Sequence, residues 1–349
     1  MNKFFKEISE QPQALLNTFE YYINDKGADT LEAIRNLWES GQWKKILFTG
    51  MGSSFFISQA AATLLTSNGI PAFVVNTGEL LHSQYPILDT KTLLVCISQS
   101  GESYEIVQLL HKKISSTTVI GITNEHNSTL AKQATHTLLC QAGTEEMTST
   151  KTFTATYLVT YLLSLYLTRK QIDQTVGRIL AEEVERLITS SARYLIPSLT
   201  LLGESPFVQL IGRGTDYASA AQSALMLMEA TKTPASALLG GEFRHGPFEM
   251  VDKKFIGILF AHSQSATYQQ SIKQSKEILD FGGKVILMTD IPSRIENSDF
   301  LEVQIRCMQS ELFVIPAIIP IQLMVNAWAE EKGLIPGNFT HGAKVTLIE

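Results

Sequence analysis

Apolar and polar positions along this chain change in blocks rather than residue by residue. The run Leu93-Leu94-Val95-Cys96-Ile97 is continuously apolar with β-branched members, which is the pattern of a strand buried on both faces of a parallel sheet. Ser98-Gln99-Ser100-Gly101-Glu102-Ser103 follows and is polar, and Tyr104-Glu105-Ile106-Val107-Gln108-Leu109-Leu110 returns to apolar positions at helical spacing. Strand-like runs at 91–97, 117–123, 255–261 and 284–289 alternate with helix-like runs. That alternation predicts an α/β chain of parallel sheets with helices on both faces. Residues 1–33 read as a helical segment, and about 171–202 as one long amphipathic helix and linker. In that linker Glu182, Glu183, Glu185 and Arg186 read as a solvated face. Residues 157–167 are strongly apolar but too short to span a bilayer, and suit a buried or subunit-facing helix.

The pattern is written twice. Ile46-Leu47-Phe48-Thr49-Gly50-Met51-Gly52-Ser53-Ser54 is echoed 162 positions later by Val208-Gln209-Leu210-Ile211-Gly212-Arg213-Gly214-Thr215-Asp216. Gly78-Glu79-Leu80-Leu81-His82 matches Gly241-Glu242-Phe243-Arg244-His245 at an offset of 163, and Ser98-Gln99-Ser100 matches Ser263-Gln264-Ser265 at 165. Landmarks recurring in one order at nearly one spacing predict two homologous halves. The expected division is an N-terminal helical segment 1–33, a first domain 34–170, a connecting helix and linker 171–202, and a second domain 203–349. No Pro-, Gly- or Ser-rich linker separates the halves, so they are expected to pack together.

Both Gly-x-Gly turns and both Ser-Gln-Ser turns fall at strand carboxyl ends, where open α/β sheets bind ligands. Hydroxyls and backbone N–H groups at a helix N-terminus favour an anion. One serine would be only a helix cap, whereas three serines around Gly101 point to a phosphate. Neither Gly-x-Gly extends to Gly-x-Gly-x-x-Gly, which argues against a dinucleotide fold.

Composition narrows the classes. The chain has 349 residues, 44% hydrophobic and 18% charged, with a net charge of −6, as expected of a globular protein with two cores. Without a dense Lys/Arg cluster, nucleic acid and anionic membrane surfaces are not expected partners. Cys96, Cys140 and Cys307 are scattered, which predicts reduced core thiols in a cytoplasmic protein and no zinc site. Met1-Asn2-Lys3-Phe4-Phe5-Lys6-Glu7 has no long apolar run, so no signal peptide is expected.

Three segments carry a resemblance: Gly50-Met51-Gly52-Ser53-Ser54, Ser98-Gln99-Ser100-Gly101-Glu102-Ser103 and Gly241-Glu242-Phe243-Arg244-His245-Gly246-Pro247. They resemble the SIS (sugar isomerase) family, in the tandem form of the isomerase half of glucosamine-6-phosphate synthase, from about residue 35 onward. The resemblance implies two tandem SIS domains of flavodoxin-like topology and a small-molecule sugar phosphate as ligand. No cofactor or metal is expected. By position it assigns Ser53, Ser54, Ser98, Gln99, Ser100 and Ser103 to the phosphate, and Met147 and Ser149 to sugar contacts. It assigns Glu229 to proton transfer between C1 and C2, and Lys344 to a Schiff base with the open ketose. His245 corresponds to the ring-opening residue, which in the family reaches in from the neighbouring subunit and so implies a homodimer with shared sites. The chemistry is coherent, because hydrogen transfer between sugar carbons needs a base. Ring opening suits a histidine, and a desolvated lysine can attack a carbonyl.

Each residue also has a plainer reading. Lys344 could be a solvated tail lysine, Glu229 an ion-pair partner of Lys232, and His245 a structural residue in its Gly-Pro turn. Two departures stand out, since the family member has Glu and Lys where this chain has Gln222 and Met226. No glutaminase segment precedes the repeats, so amide transfer from glutamine is not expected. The leading expectation is therefore an isomerase or deaminase of a hexose 6-phosphate or amino-sugar 6-phosphate. The alternatives are a fructosamine-6-phosphate deglycase and a non-catalytic sugar-phosphate-binding regulator.

Overall fold

The computed structural model describes residues 2–112, 117–203 and 205–346. Contacts divide the chain into two compact units, Gln13–Ile179 with Thr340–Glu349 and Met1–Pro12 with Leu180–Phe339. They are called the first-half and second-half units after the repeat each contains.

The first-half unit holds a five-stranded sheet of β1 (Lys45–Gly50), β2 (Ala72–Asn76), β3 (Thr92–Ile97), β4 (Thr118–Thr123) and β5 (His136–Leu139), in the order β2-β1-β3-β4-β5. Every pairing is parallel. All six residues of β3 are buried, which is why its sequence is continuously apolar rather than alternating. The helix Lys151–Leu167 is buried along nearly its whole length within this unit, so the apolar run at 157–167 is core.

The second-half unit repeats the topology with β6 (Val208–Gly212), β7 (Ala235–Leu239), β8 (Ile256–Ala261), β9 (Lys284–Thr289) and β10 (Phe300–Gln304), in the order β10-β9-β8-β6-β7. These pairings are also all parallel. The halves thus share one strand order, as the repeat predicts. Ser310–Glu331 is long and apolar enough to cross a membrane, but 94% of its apolar window is buried inside the protein. The amino-terminal helix Lys3–Ser9 packs on this helix, and Gln11 Nε2 donates to Gln322 Oε1 at 2.6 Å.

The connecting region departs from expectation in two ways. It is two helices, Val176–Thr189 and Ala192–Leu202, rather than one. At the break the Thr189 hydroxyl donates to Glu185 O at 2.9 Å and the Ser190 hydroxyl to Arg186 O at 2.6 Å. Such back-bonds compete with the helix ladder. Glu183, expected on a solvated face with Glu182, Glu185 and Arg186, is buried. Its carboxylate accepts from Arg186 Nε at 2.7 Å and from the Arg306 backbone N–H at 2.7 Å. The helix therefore fixes the segment after β10 through this buried carboxylate, while Glu182 and Glu185 stay exposed.

Candidate active site

In the first-half unit the strand order reverses between β1 and β3, so the segments after these two neighbouring strands diverge and leave a crevice at their carboxyl ends. After β1, Gly52 takes φ +51° and the helix Ser53–Thr66 begins, which places Ser53 and Ser54 in its first turn. Gly50 has no room for a side chain, since an added Cβ would lie 2.8 Å from the Ser54 carbonyl carbon. The helix therefore starts hard against the strand end.

After β3 comes the Ser98–Ser103 turn. Ser98 Oγ lies 3.3 Å from Ser103 Oγ and accepts the Gly101 N–H at 3.1 Å. Ser100 Oγ accepts the Glu102 N–H at 3.2 Å. Ser103 occupies the N-cap position of the helix Tyr104–His111, yet its side chain makes no capping bond, so the plain cap reading fails there. The one acidic side chain of the turn is directed elsewhere. Glu102 accepts from the Thr129 N–H at 2.5 Å and the Thr129 hydroxyl at 2.9 Å. Gln99 O accepts from the Asn124 N–H at 3.0 Å and the Thr123 hydroxyl at 3.1 Å. The turn is thus clamped by the segment after β4, and its hydroxyls gather at the helix N-terminus with the carboxylate drawn off.

The carboxyl-terminal tail belongs to this same unit. Thr346 O accepts the N–H of Tyr104, the first helical residue after the turn, at 3.0 Å. Lys344 is not a solvated tail lysine, because its Nζ donates to Glu145 Oε2 at 2.5 Å and to Met147 O at 2.6 Å. The side chain of Glu145 is fully buried. Its Oε1 accepts from Thr150 N at 2.8 Å, Thr150 Oγ1 at 3.0 Å and Thr152 N at 3.1 Å, and its Oε2 accepts from Thr152 Oγ1 at 2.5 Å. Burial alone pushes the Glu145 carboxyl up. The charge and hydrogen bond of Lys344, with the threonine donors, more than offset burial and hold it below the usual carboxylate range. The structure thus brings Lys344 against the loop that carries Met147 and half-buried Ser149.

Glu229 and His245 lie in the second-half unit. Glu229 sits in a π-helical turn, Leu227–Thr231, at the end of the helix Tyr217–Met226, a distortion frequent at functional positions. Lys232 Nζ is turned to the Glu229 backbone carbonyl and to Asn338 O. The departures Gln222 and Met226 are fully buried in that helix, so at 226 a thioether occupies a site where a lysine would have to bury its charge. His245 ends the short helix Gly240–Arg244 and is exposed. Its segment is anchored by buried Phe243, stacked edge-on with Phe248 at 5.5 Å between ring centroids. The histidine is therefore displayed on a fixed segment, with its backbone N–H on Glu242 O at 3.0 Å.

The second switch point, after β6 and β8, does not repeat the first. The position matching Ser54 is Asp216, and the serine matching Ser98 is Ser263, whose N–H donates to Asp290 Oδ1 at 2.6 Å and whose hydroxyl donates to Asp290 Oδ2. Burial first, and then the charge of Asp290, push the Asp216 carboxyl up to about 8. A phosphate at this point would meet the Asp290 carboxyl, to which the Ser263 N–H and hydroxyl are already committed, so the two turns are not equivalent.

Sequence reasoning missed Glu145, Thr150, Thr152, Asp216 and Asp290. The run Thr148-Ser149-Thr150-Lys151-Thr152 is dense enough in hydroxyls to suggest an acceptor nearby. Nothing local identifies Glu145 as that acceptor.

Parallel doubly wound sheets bind ligands at such a switch point, and a hydroxyl-lined turn at a helix N-terminus suits an anion. The SIS domain family matches residues 41–166 and 202–325, and the chain belongs to that family. Over 99% of its length the chain is 29% identical to the glutamine–fructose-6-phosphate aminotransferase (isomerizing) of Pyrococcus horikoshii, and it spans 57% of that protein. The C-terminal domain of glucosamine-fructose-6-phosphate aminotransferase from Francisella tularensis superposes with a TM-score of 0.81 at 24% identity, covering 97% of this chain and 98% of that one. A glucosamine-6-phosphate deaminase structure from Thermotoga maritima superposes with a TM-score of 0.75 at 21% identity, covering 99% of this chain and 100% of that one. At these identities the structural matches establish the shared fold.

Proposed function

We propose that this chain is a phosphosugar enzyme of the isomerase or deaminase type, acting on a hexose 6-phosphate or an amino-sugar 6-phosphate. The observation that carries the reading is the first-half unit's own arrangement. A hydroxyl-lined turn at the switch point shares that unit with a tail whose Lys344 is held at the Met147 carbonyl. In this reading Ser53, Ser54, Ser98, Gln99, Ser100 and Ser103 hold the phosphate. Met147 and Ser149 line the sugar, and Lys344 condenses with the carbonyl of the open ketose. Glu229 moves the proton between C1 and C2. His245 of the partner subunit opens the ring, which makes the working form a homodimer. An imine with a base beside it serves both aldose–ketose isomerisation and loss of the amino group from an amino-sugar phosphate.

A panel of hexose, hexosamine and fructosamine 6-phosphates separates these reactions. Turnover of a hexosamine or hexose 6-phosphate that is lost in Glu229→Gln supports the proposal. Turnover confined to fructosamine 6-phosphates would assign a deglycase, and ligand binding without turnover of any panel member would assign a regulator.

A further inference from the structure

We propose that Glu145 is the counter-ion of Lys344, a positioning residue that fixes the amine and carries its positive charge through imine formation. The inference rests on Lys344 being the imine-forming amine and adds a residue to that reading. Glu145 is buried, and its two oxygens take one ammonium donor and four threonine donors. A carboxylate so supplied is fixed in place, and its remaining charge is directed at Nζ. The Met147 carbonyl takes a second Nζ proton at 2.6 Å, so two acceptors define the direction of the amine.

The charge balance shows what such a group does. Condensation joins R–NH₃⁺ to a ketone carbonyl and gives R–NH⁺=C plus water. One nitrogen proton stays, two leave in the water, the C=O bond breaks and the C=N bond forms. The nitrogen is cationic before and after the reaction, so a buried carboxylate beside it is compensated at both ends and need not reorganise. An exposed tail anchor would need no such shell. A rim ion pair would suffice to hold a tail, and such a pair contributes little.

The test uses the full chain with fructose 6-phosphate and cyanoborohydride, and reads the rate at which reduced adduct accumulates on the peptide carrying Lys344. Glu145→Gln is expected to slow trapping by roughly tenfold or more, as for loss of one member of a buried hydrogen-bonded charge pair. Calorimetric binding of the sugar phosphate through the turn should remain, and Glu145→Asp should recover part of the rate. Trapping at the parent rate in Glu145→Gln overturns the proposal. If the parent chain itself traps no adduct, the imine reading fails. The pairing is then decided separately by amide hydrogen exchange of the peptide carrying Lys344: faster exchange in Glu145→Gln than in the parent upholds it, and equal exchange overturns it. If Glu145→Gln does not fold, Thr152→Ala removes one of the carboxylate's donors, and the same ordering is expected in smaller degree. An unchanged trapping rate and unchanged hydrogen exchange in Thr152→Ala again overturn the proposal.

Discussion

At Gly101 the backbone takes φ +63°, and an added Cβ would sit 2.2 Å from the Ser128 hydroxyl oxygen. Both strain and collision follow from any side chain there, so Gly101→Ala is expected to cost about 2 kcal/mol or more of stability. Phosphate binding should weaken with it, as read by denaturant melts and calorimetry. Asp216 works in the opposite sense. Its carboxyl keeps a proton up to about pH 8 in the folded chain, whereas an unfolded aspartate releases it near roughly pH 4. Between those values the folded state binds more protons, so this residue's contribution to stability falls as pH rises. Asp216→Asn should therefore raise the melting temperature at pH 8 more than at pH 4, and an equal gain at both would contradict the assignment. The hydroxyls of the Ser98–Ser103 turn were legible in the sequence because all three fall within six residues. Glu145 was not, because the lysine that explains it is 199 residues away.

Among the elements, strands buried on both faces announce themselves by composition, as β3 does with every residue buried. Edge strands such as β7, with no fully buried residue, carry no comparable signal. The region 171–202 shows the limit of pattern reading. Charge suggested one solvated helical face, but the fold breaks the helix at Ser190 and buries Glu183 under Arg186 and the Arg306 N–H. Removing that carboxylate leaves the Arg306 N–H without its acceptor and takes from the partly buried Arg186 guanidinium its charged partner, with Gln304 O still accepting from it. Glu183→Ala is accordingly expected to destabilise the second-half unit by about 3 kcal/mol. A shift below roughly 0.5 kcal/mol, ordinary for a surface substitution, would restore the solvated reading.

For the whole molecule, the repeat gave the strand order of both sheets its shared form, and the family match at residues 41–166 and 202–325 agrees with it. The electrostatic inequality of the halves was only partly legible. The loss of Gly101 and Glu102 counterparts shows in Ser263-Gln264-Ser265-Ala266-Thr267, but the placement of Asp290 on Ser263 is a tertiary fact. The homodimer proposal has its own check, because shared sites complement. Neither His245→Ala nor Glu229→Gln should be active alone, and a mixed population of subunits should regain activity at a fraction of its sites. Absence of any recovery would place His245 within its own chain's site.

The most direct test of the central claim is mass analysis of Lys344 after fructose 6-phosphate and cyanoborohydride are added to the full chain. The account predicts one reduced sugar-phosphate adduct, carried by Lys344 and suppressed when Ser98 and Ser100 are replaced by alanine. No adduct, or adducts spread over surface lysines without regard to those serines, would contradict it.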